Sequence, residues 1–267
     1  MPVNFRKTIT PMNMTAPLNS AKPQGPAQFP RLAELRDRAC RSMPNVLPES
    51  SDNVPAGPFL AWLEKMRASL VSDAGTDVPC GTCVGCCVSS YYIPIRPHDA
   101  PARASIPPEF LITLADQPAG HAMMIYLDNG LCPMLHAGQC AIYDRRPQTC
   151  RDYDCRIFTA AGIDAGPGKP VINQRIHEWR FEYPSDKDRQ AHDAVLAAAN
   201  FIREKRHAFP GSRAPTAPTG IAVLAVKVYE LFLDPAITAR SDEQIALDII
   251  GASREFEQSA NTRASEP

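Results

Sequence analysis

The alternation of apolar and polar positions divides the chain into stretches of different character. Residues 1–57 carry nine prolines, few large apolar side chains and no sustained period. Such a composition cannot bury a core, so it predicts a disordered leader, interrupted only by a short helix from Arg31 to Cys40 with Leu32 and Leu35 on one side. From Pro58 the pattern turns helical. Phe59, Trp62, Leu63, Met66 and Leu70 recur on one helix face, and the proline suits a first turn.

Between about residues 79 and 158 the apolar runs shorten. VSSYYIPI (88–95) reads as a short strand, in which Pro94 argues against an interior sheet position. SIPPEFLITLAD (105–116) reads as a short helix with its prolines in the first turn. AMMIYL, DNG, LCPML, HAGQ and CAIY (122–143) read as a small antiparallel meander, with Cys132 and Cys140 on either side of its second turn. A further helix starts near Pro147 and carries Cys150 and Arg151. Residues 160–184 mix Gly, Pro and aromatic residues without an assignable period.

Helices dominate afterwards. DKDRQAHDAVLAAANFIREKRH (186–207) is helical by composition, and AFPGSRAPTAPTG (208–220) is a linker. IAVLAVKVYELFL (221–233) is apolar enough for a buried helix, although its valines leave a strand open. SDEQIALDIIGASREFE (241–257) opens with a Ser241…Gln244 capping box and places Ile245, Ile249, Ala252 and Phe256 on one face. The expected fold class is α+β: a small cysteine-rich metal-binding module with short antiparallel strands, flanked by helices. Its expected divisions are the leader at 1–57, a cysteine-cluster domain at 58–184, a helical C-terminal portion at 185–258 and a tail at 259–267.

Composition narrows the function. With 28 basic and 29 acidic residues in 267, the net charge is −1, which removes the electrostatic footprint of a nucleic-acid binder. No run approaches the roughly 18–20 apolar residues of a membrane span, and the N-terminus lacks the apolar stretch of an export signal. The expectation is a cytoplasmic protein with no membrane or nucleic-acid partner, its thiols kept reduced. Eight of its nine cysteines fall between Cys80 and Cys155, and only Cys40 lies outside. A clustered set in a reducing compartment points to metal first; redox thiols, or disulfides in an exported chain, are the alternatives.

The spacing supports metal. In Cys80-Gly-Thr-Cys83-Val-Gly-Cys86-Cys87, cysteines three apart can turn both sulfurs to one ion, and Gly81 and Gly85 permit the tight backbone required. The second group, Cys132, Cys140, Cys150 and Cys155, is spaced by eight, ten and five residues. Four plus four thiols allow two four-thiolate sites, one multinuclear cluster, or one site with spare thiols. Cys80-x2-Cys83-x2-Cys86 is similar to the first three ligands of a bacterial ferredoxin, and Cys132-Pro133 to its remote Cys-Pro. That favours iron, as an iron–sulfur cluster or mononuclear site, over zinc. From Cys80 to Cys155 five arginines face seven acidic residues with no lysine, so ionised thiols there would repel one another without a cation.

Other motifs add little. His98, His121 and His136 lie in the module, with His136 the best placed to replace a cysteine. Gly166-Pro-Gly168-Lys169 lacks the spacing of a phosphate loop. No G-x-S-x-G, H-E-x-x-H or Rossmann glycine fingerprint occurs, nor a C-x3-C-x2-C triad.

CGTCVGCC, LCPML and GQCAIYDRRPQTCRDYDC together resemble the YkgJ-type cysteine-cluster family, described as a zinc- or iron-chelating domain. The resemblance covers about 80 of 267 residues. It implies a metal or iron–sulfur site formed by Cys80, Cys83, Cys86, Cys87, Cys132, Cys140, Cys150 and Cys155. Tyr143, Arg146 and Arg151 also lie on the motif, either as local packing and ion pairs with Asp144, Asp152 or Asp154, or behind the thiolates to offset their charge. Flagellin lysine N-methylases share this kind of cluster, which keeps an enzyme in view. Three expectations follow: a metal-binding accessory or redox protein, a cluster-dependent enzyme such as a protein lysine N-methylase or oxidoreductase, or a structural zinc module for a protein partner.

Overall fold

The computed structural model describes residues 53–76, 78–113 and 117–263. The expected leader, its helix at 31–40, Cys40 and residues 264–267 lie outside the described residues. Val54–Pro58, assigned in part to the leader, is a strand (β1), and it runs parallel to β7, Trp179–Glu182, with an irregularity between Pro55 and Gly57. Gly57 sits at φ +86°, a left-handed value that a side chain would strain.

Helix α1, Phe59–Ser69, follows directly and buries Phe59, Trp62, Leu63 and Met66, the face its periodicity marked. Asp188 ties its start to α6, Asp186–Glu204: Oδ1 accepts the Leu60 N–H at 3.0 Å, while Oδ2 accepts the Ser185 N–H in a capping box. Along α6 the inward residues are small (Ala191, Ala194, Val195, Ala198, Ala199), which lets α7, Pro218–Val228, approach closely. α7 is a helix rather than a strand. It buries Ile221, Ala222, Ala225, Val226 and Val228, and Pro218 occupies its first turn. Its continuation, Tyr229–Leu233, tightens to a 3-10 turn. Helix α8 spans Asp242–Arg263 and starts with the Gln244 N–H on Ser241 Oγ at 3.2 Å. It therefore runs past Ser259, where the tail was expected to begin.

Helix α4 (Arg156–Ala161) leads into the unassigned stretch, which supplies α5 (Pro170–Glu178) and β7. Together with α1 and α6–α8 they enclose one apolar core around Phe59, Phe158, Val195 and Val226.

A second core belongs to the cysteine-rich segment and contains Ile93, Ile95, Phe110, Met124, Met134 and Ile142. Its three-stranded sheet has the order β2 (Ile93–Ile95), β4 (Ala122–Met124), β3 (Leu111–Ile112), antiparallel throughout. Pro94 is thus on an edge strand, as its missing N–H requires. Of the rest of the expected strand, Val88 ends a 3-10 turn, Gly85–Val88, and the chain then turns through Ser90 at φ +51°. Among the described residues of 105–116 the expected helix is not formed. Pro108–Phe110 makes one 3-10 turn and Leu111–Ile112 pairs as β3, while α2, Ala100–Ser105, precedes it. The meander is also shorter than expected. β4 pairs with β2 and β3, and the DNG turn is closed by the Leu127 N–H on Leu131 O and the Gly130 N–H on Leu127 O without extending into a ladder, the Cys132 N–H donating to Cys87 O instead. The second hairpin does form, β5 (Leu135–His136) against β6 (Gln139–Cys140), through Ala137 and Gly138 at positive φ. Helix α3, Gln148–Asp152, carries Cys150 and Arg151.

Candidate metal centre

The first cysteine group is built from turns. The Cys83 N–H donates to Cys80 O at 2.9 Å, closing a turn through Gly81 at φ +55°. Gly85 then packs on α5: a Cβ there would lie 3.2 Å from Ile172 Cγ1, so glycine lets the 3-10 turn carrying Cys86 and Cys87 sit close against the helix. The second group closes on the first. The Cys132 N–H donates to Cys87 O at 2.7 Å, Cys140 ends the β5–β6 hairpin, and Cys150 is in the first turns of α3. Asp99 fixes α3 by accepting the Gln148 N–H at 2.7 Å, and the Thr149 hydroxyl donates to Pro94 O at 3.0 Å.

Seven of the eight cysteines (Cys80, Cys83, Cys86, Cys87, Cys132, Cys140 and Cys150) line one cavity of about 530 Å³. Tyr91, Tyr92, Tyr126 and Tyr153, with Met124 and Met134, form the facing wall. Cys155 is elsewhere: buried in the helical core, it accepts the Trp179 indole N–H at 3.2 Å. All eight are free thiols.

The local backbone favours sulfur anions. Cys83 accepts the N–H of Gly85, Cys132 those of Met134 and Leu135, and Cys140 that of Ile142. The same step, sulfur of residue i to amide of i+2, recurs at three cysteines distant in sequence, and such oriented amides stabilise negative charge. The sulfurs of Cys86, Cys87 and Cys132 share hydrogen bonds. Its two neighbours hold Cys87 well above the usual thiol range, while Cys86 falls to about 7 and Cys132 is also lowered. Burial raises three more: Cys80 to about 11, and Cys140 and Cys150 upward, with neighbouring thiols adding to the rise.

Arg146 opposes that rise. Its charge lowers Cys80, Cys86, Cys140 and Cys150 together, so one guanidinium reaches both cysteine groups. Its Nε donates to Tyr143 O at 2.8 Å, and its Cζ stands 3.7 Å from the Tyr143 ring centroid. Tyr143 and Arg146 both line the cavity, whereas Arg151 turns away and donates to Gln148 Oε1 at 2.6 Å. The alternative partners are otherwise engaged: Asp154 pairs with Arg156 at 2.7 Å and Asp152 with Arg96 at 3.6 Å. His98, His121 and His136 do not line the cavity.

Residues 79–172 match the CxxCxxCC family model. That family is described as a "putative zinc- or iron-chelating domain". No curated protein and no solved structure matches the chain. The CxxCxxCC span holds all eight clustered cysteines and ends at the Ile172 that packs on Gly85. Its donor set suits a thiophilic ion: soft sulfur ligands, amides aimed at them and one arginine to balance charge. Among the described residues, however, no three or more His, Cys, Asp or Glu side chains stand close enough together to hold an ion as placed. Sequence reasoning missed the tyrosine wall and the bond from Trp179 to Cys155. The first carries no motif, and the second joins residues 24 apart across a stretch without a readable period.

Proposed function

We propose that the chain binds a transition metal through the cavity cysteines, iron in preference to zinc, and serves as an accessory protein for metal handling or electron transfer. The observation that carries this reading is the gathering of seven thiols around one cavity, three of them with an i+2 amide on the sulfur. Cys80, Cys83, Cys86, Cys87, Cys132, Cys140 and Cys150 are the proposed ligands, with Arg146 balancing their charge, while Cys155 stands apart in the helical core. Thiolate-bound iron supplies one-electron redox chemistry, which zinc does not. No described helix is long and apolar enough to cross a membrane, and free thiols favour a reducing compartment, which we propose is the cytoplasm.

A second reading, a cluster-dependent enzyme, is favoured by the cavity itself. Structural zinc sites are closed, whereas about 530 Å³ of aromatic-walled space matches a small-molecule pocket. The deciding experiment is metal and acid-labile sulfide analysis, with an absorption spectrum, on protein purified without oxygen. Iron with sulfide and a visible chromophore supports the redox reading. Colourless protein with zinc supports a structural module, and metal-free protein rejects the proposal. Cys83→Ser and Cys150→Ser should each lower the metal content; if both variants retain it in full, the ligand set is wrong.

A further inference from the structure

A second cavity, of about 640 Å³, opens where β7 and the ends of α4 and α6 meet the start of α7. No residue lines both it and the cysteine cavity. Phe158, Ile176 and Ile221, buried members of the helical core, give it an apolar floor. Around that floor stand Arg180 of β7, Arg203 of the last turn of α6 and Arg206 of the 3-10 turn that follows.

Little of this positive charge is spent on carboxylates. Asp164 is the one acidic side chain among the described lining residues, and His177 Nε2 already stands 3.0 Å from its Oδ1. Arg180 Nη1 donates to backbone, to the His177 and Trp179 carbonyls at 2.5 and 3.0 Å. Arg203 Nη2 meets Asn200 Oδ1 at 3.0 Å and Glu204 Oε1 at 3.2 Å, and an exposed ion pair of that kind yields to a competing anion at little cost. The Arg206 guanidinium has no hydrogen-bond or ion-pair partner among the described residues. In a chain of net charge −1, three arginines against one engaged aspartate make a local positive field. α7 adds to it, because it begins at the rim with Pro218 in its first turn and no side-chain cap over its positive end.

We infer that this cavity binds a small organic anion, its phosphate or carboxylate group held by Arg180, Arg203 and Arg206 and its apolar body laid on Phe158 and Ile221. Small-molecule pockets span about 300–1,000 Å³ and combine an apolar lining with a few placed polar groups, as here. Guanidinium forks match the oxygens of phosphate and carboxylate. The site is independent of the metal reading above, since none of the cysteines contributes to it.

The test is calorimetric titration of the full chain with phenyl phosphate, benzoate and phenol, which share a ring and differ in charge. Phenyl phosphate should bind one-to-one and at least tenfold more tightly than phenol. Benzoate matching phenyl phosphate would assign the site to both anions, and benzoate matching phenol would assign it to phosphates. Phenol binding as tightly as both anions, or neither anion binding, would overturn the inference. Arg206→Gln, which breaks no contact within the described residues, should weaken phenyl phosphate about tenfold, and Arg180→Gln likewise. Arg254→Gln, on α8 and outside the lining, should leave affinity unchanged. Full affinity in Arg206→Gln, or an equal loss in all three variants, would overturn the inference.

Discussion

The helical core and the cysteine segment are stabilised by different means. Among the described residues the first buries 32 apolar side chains on helices such as α6 and α8, of 19 and 22 residues. The second buries ten, only four of them on its strands of two or three residues and the rest on turns, loops and a short helix, and Cys132 is one of the ten. A core that small rarely sustains a fold alone, and nature commonly supplements such cores with metal or disulfides. One region holds itself by apolar burial; the other has thiols where further apolar packing would be.

The comparison breaks most visibly on metal removal. With the metal chelated, amide hydrogens in 80–150 should lose their protection from exchange while those of α6 and α7 keep it. Equal protection in the two regions would refute the difference. The reverse perturbation is Phe158→Ala, at a fully buried position of the helical core. It should cost about 3–5 kcal/mol in denaturant unfolding, with metal content unchanged in the folded fraction. Asp188→Ala removes the acceptor at the starts of α1 and α6 and should lower the thermal midpoint by less than Phe158→Ala does.

The smallest expected effect is a pH dependence confined to the cysteine segment. Cys80 rises from 9.0 to about 11 on folding, so the stability it contributes is present below pH 9 and is lost as pH climbs through 11. The metal-free protein should therefore unfold at progressively lower denaturant across that range, read from cysteine-segment amides. Bound metal, having displaced the proton, should remove the slope.

How much was legible divides along the same line. α1, α6 and α8 announce themselves because long helices repeat their apolar face, as with Phe59, Trp62, Leu63 and Met66. The cysteine spacing marked the first group for a local reason: the turn from Cys80 to Cys83 through Gly81 needs only neighbours in sequence, whereas Gly85 answers to the distant Ile172. The 105–116 helix went wrong because two residues of β3 are fixed by a partner, Met123–Met124, that no local period encodes. Trp179 and Asp188 act across the fold, so a linear reading assigns them ordinary places.

The parallel pairing of β1 with β7 bears on the order in which the protein is made. Val54 is synthesised about 125 residues before its partner Trp179, and every clustered cysteine emerges from the ribosome in between. For that interval the thiols exist on a nascent chain whose frame is unfinished, with α6 and α7 still to come. A metal acquired then would be caught by the turn-built cysteines first, and Cys155 would reach its final setting only when Trp179 arrives.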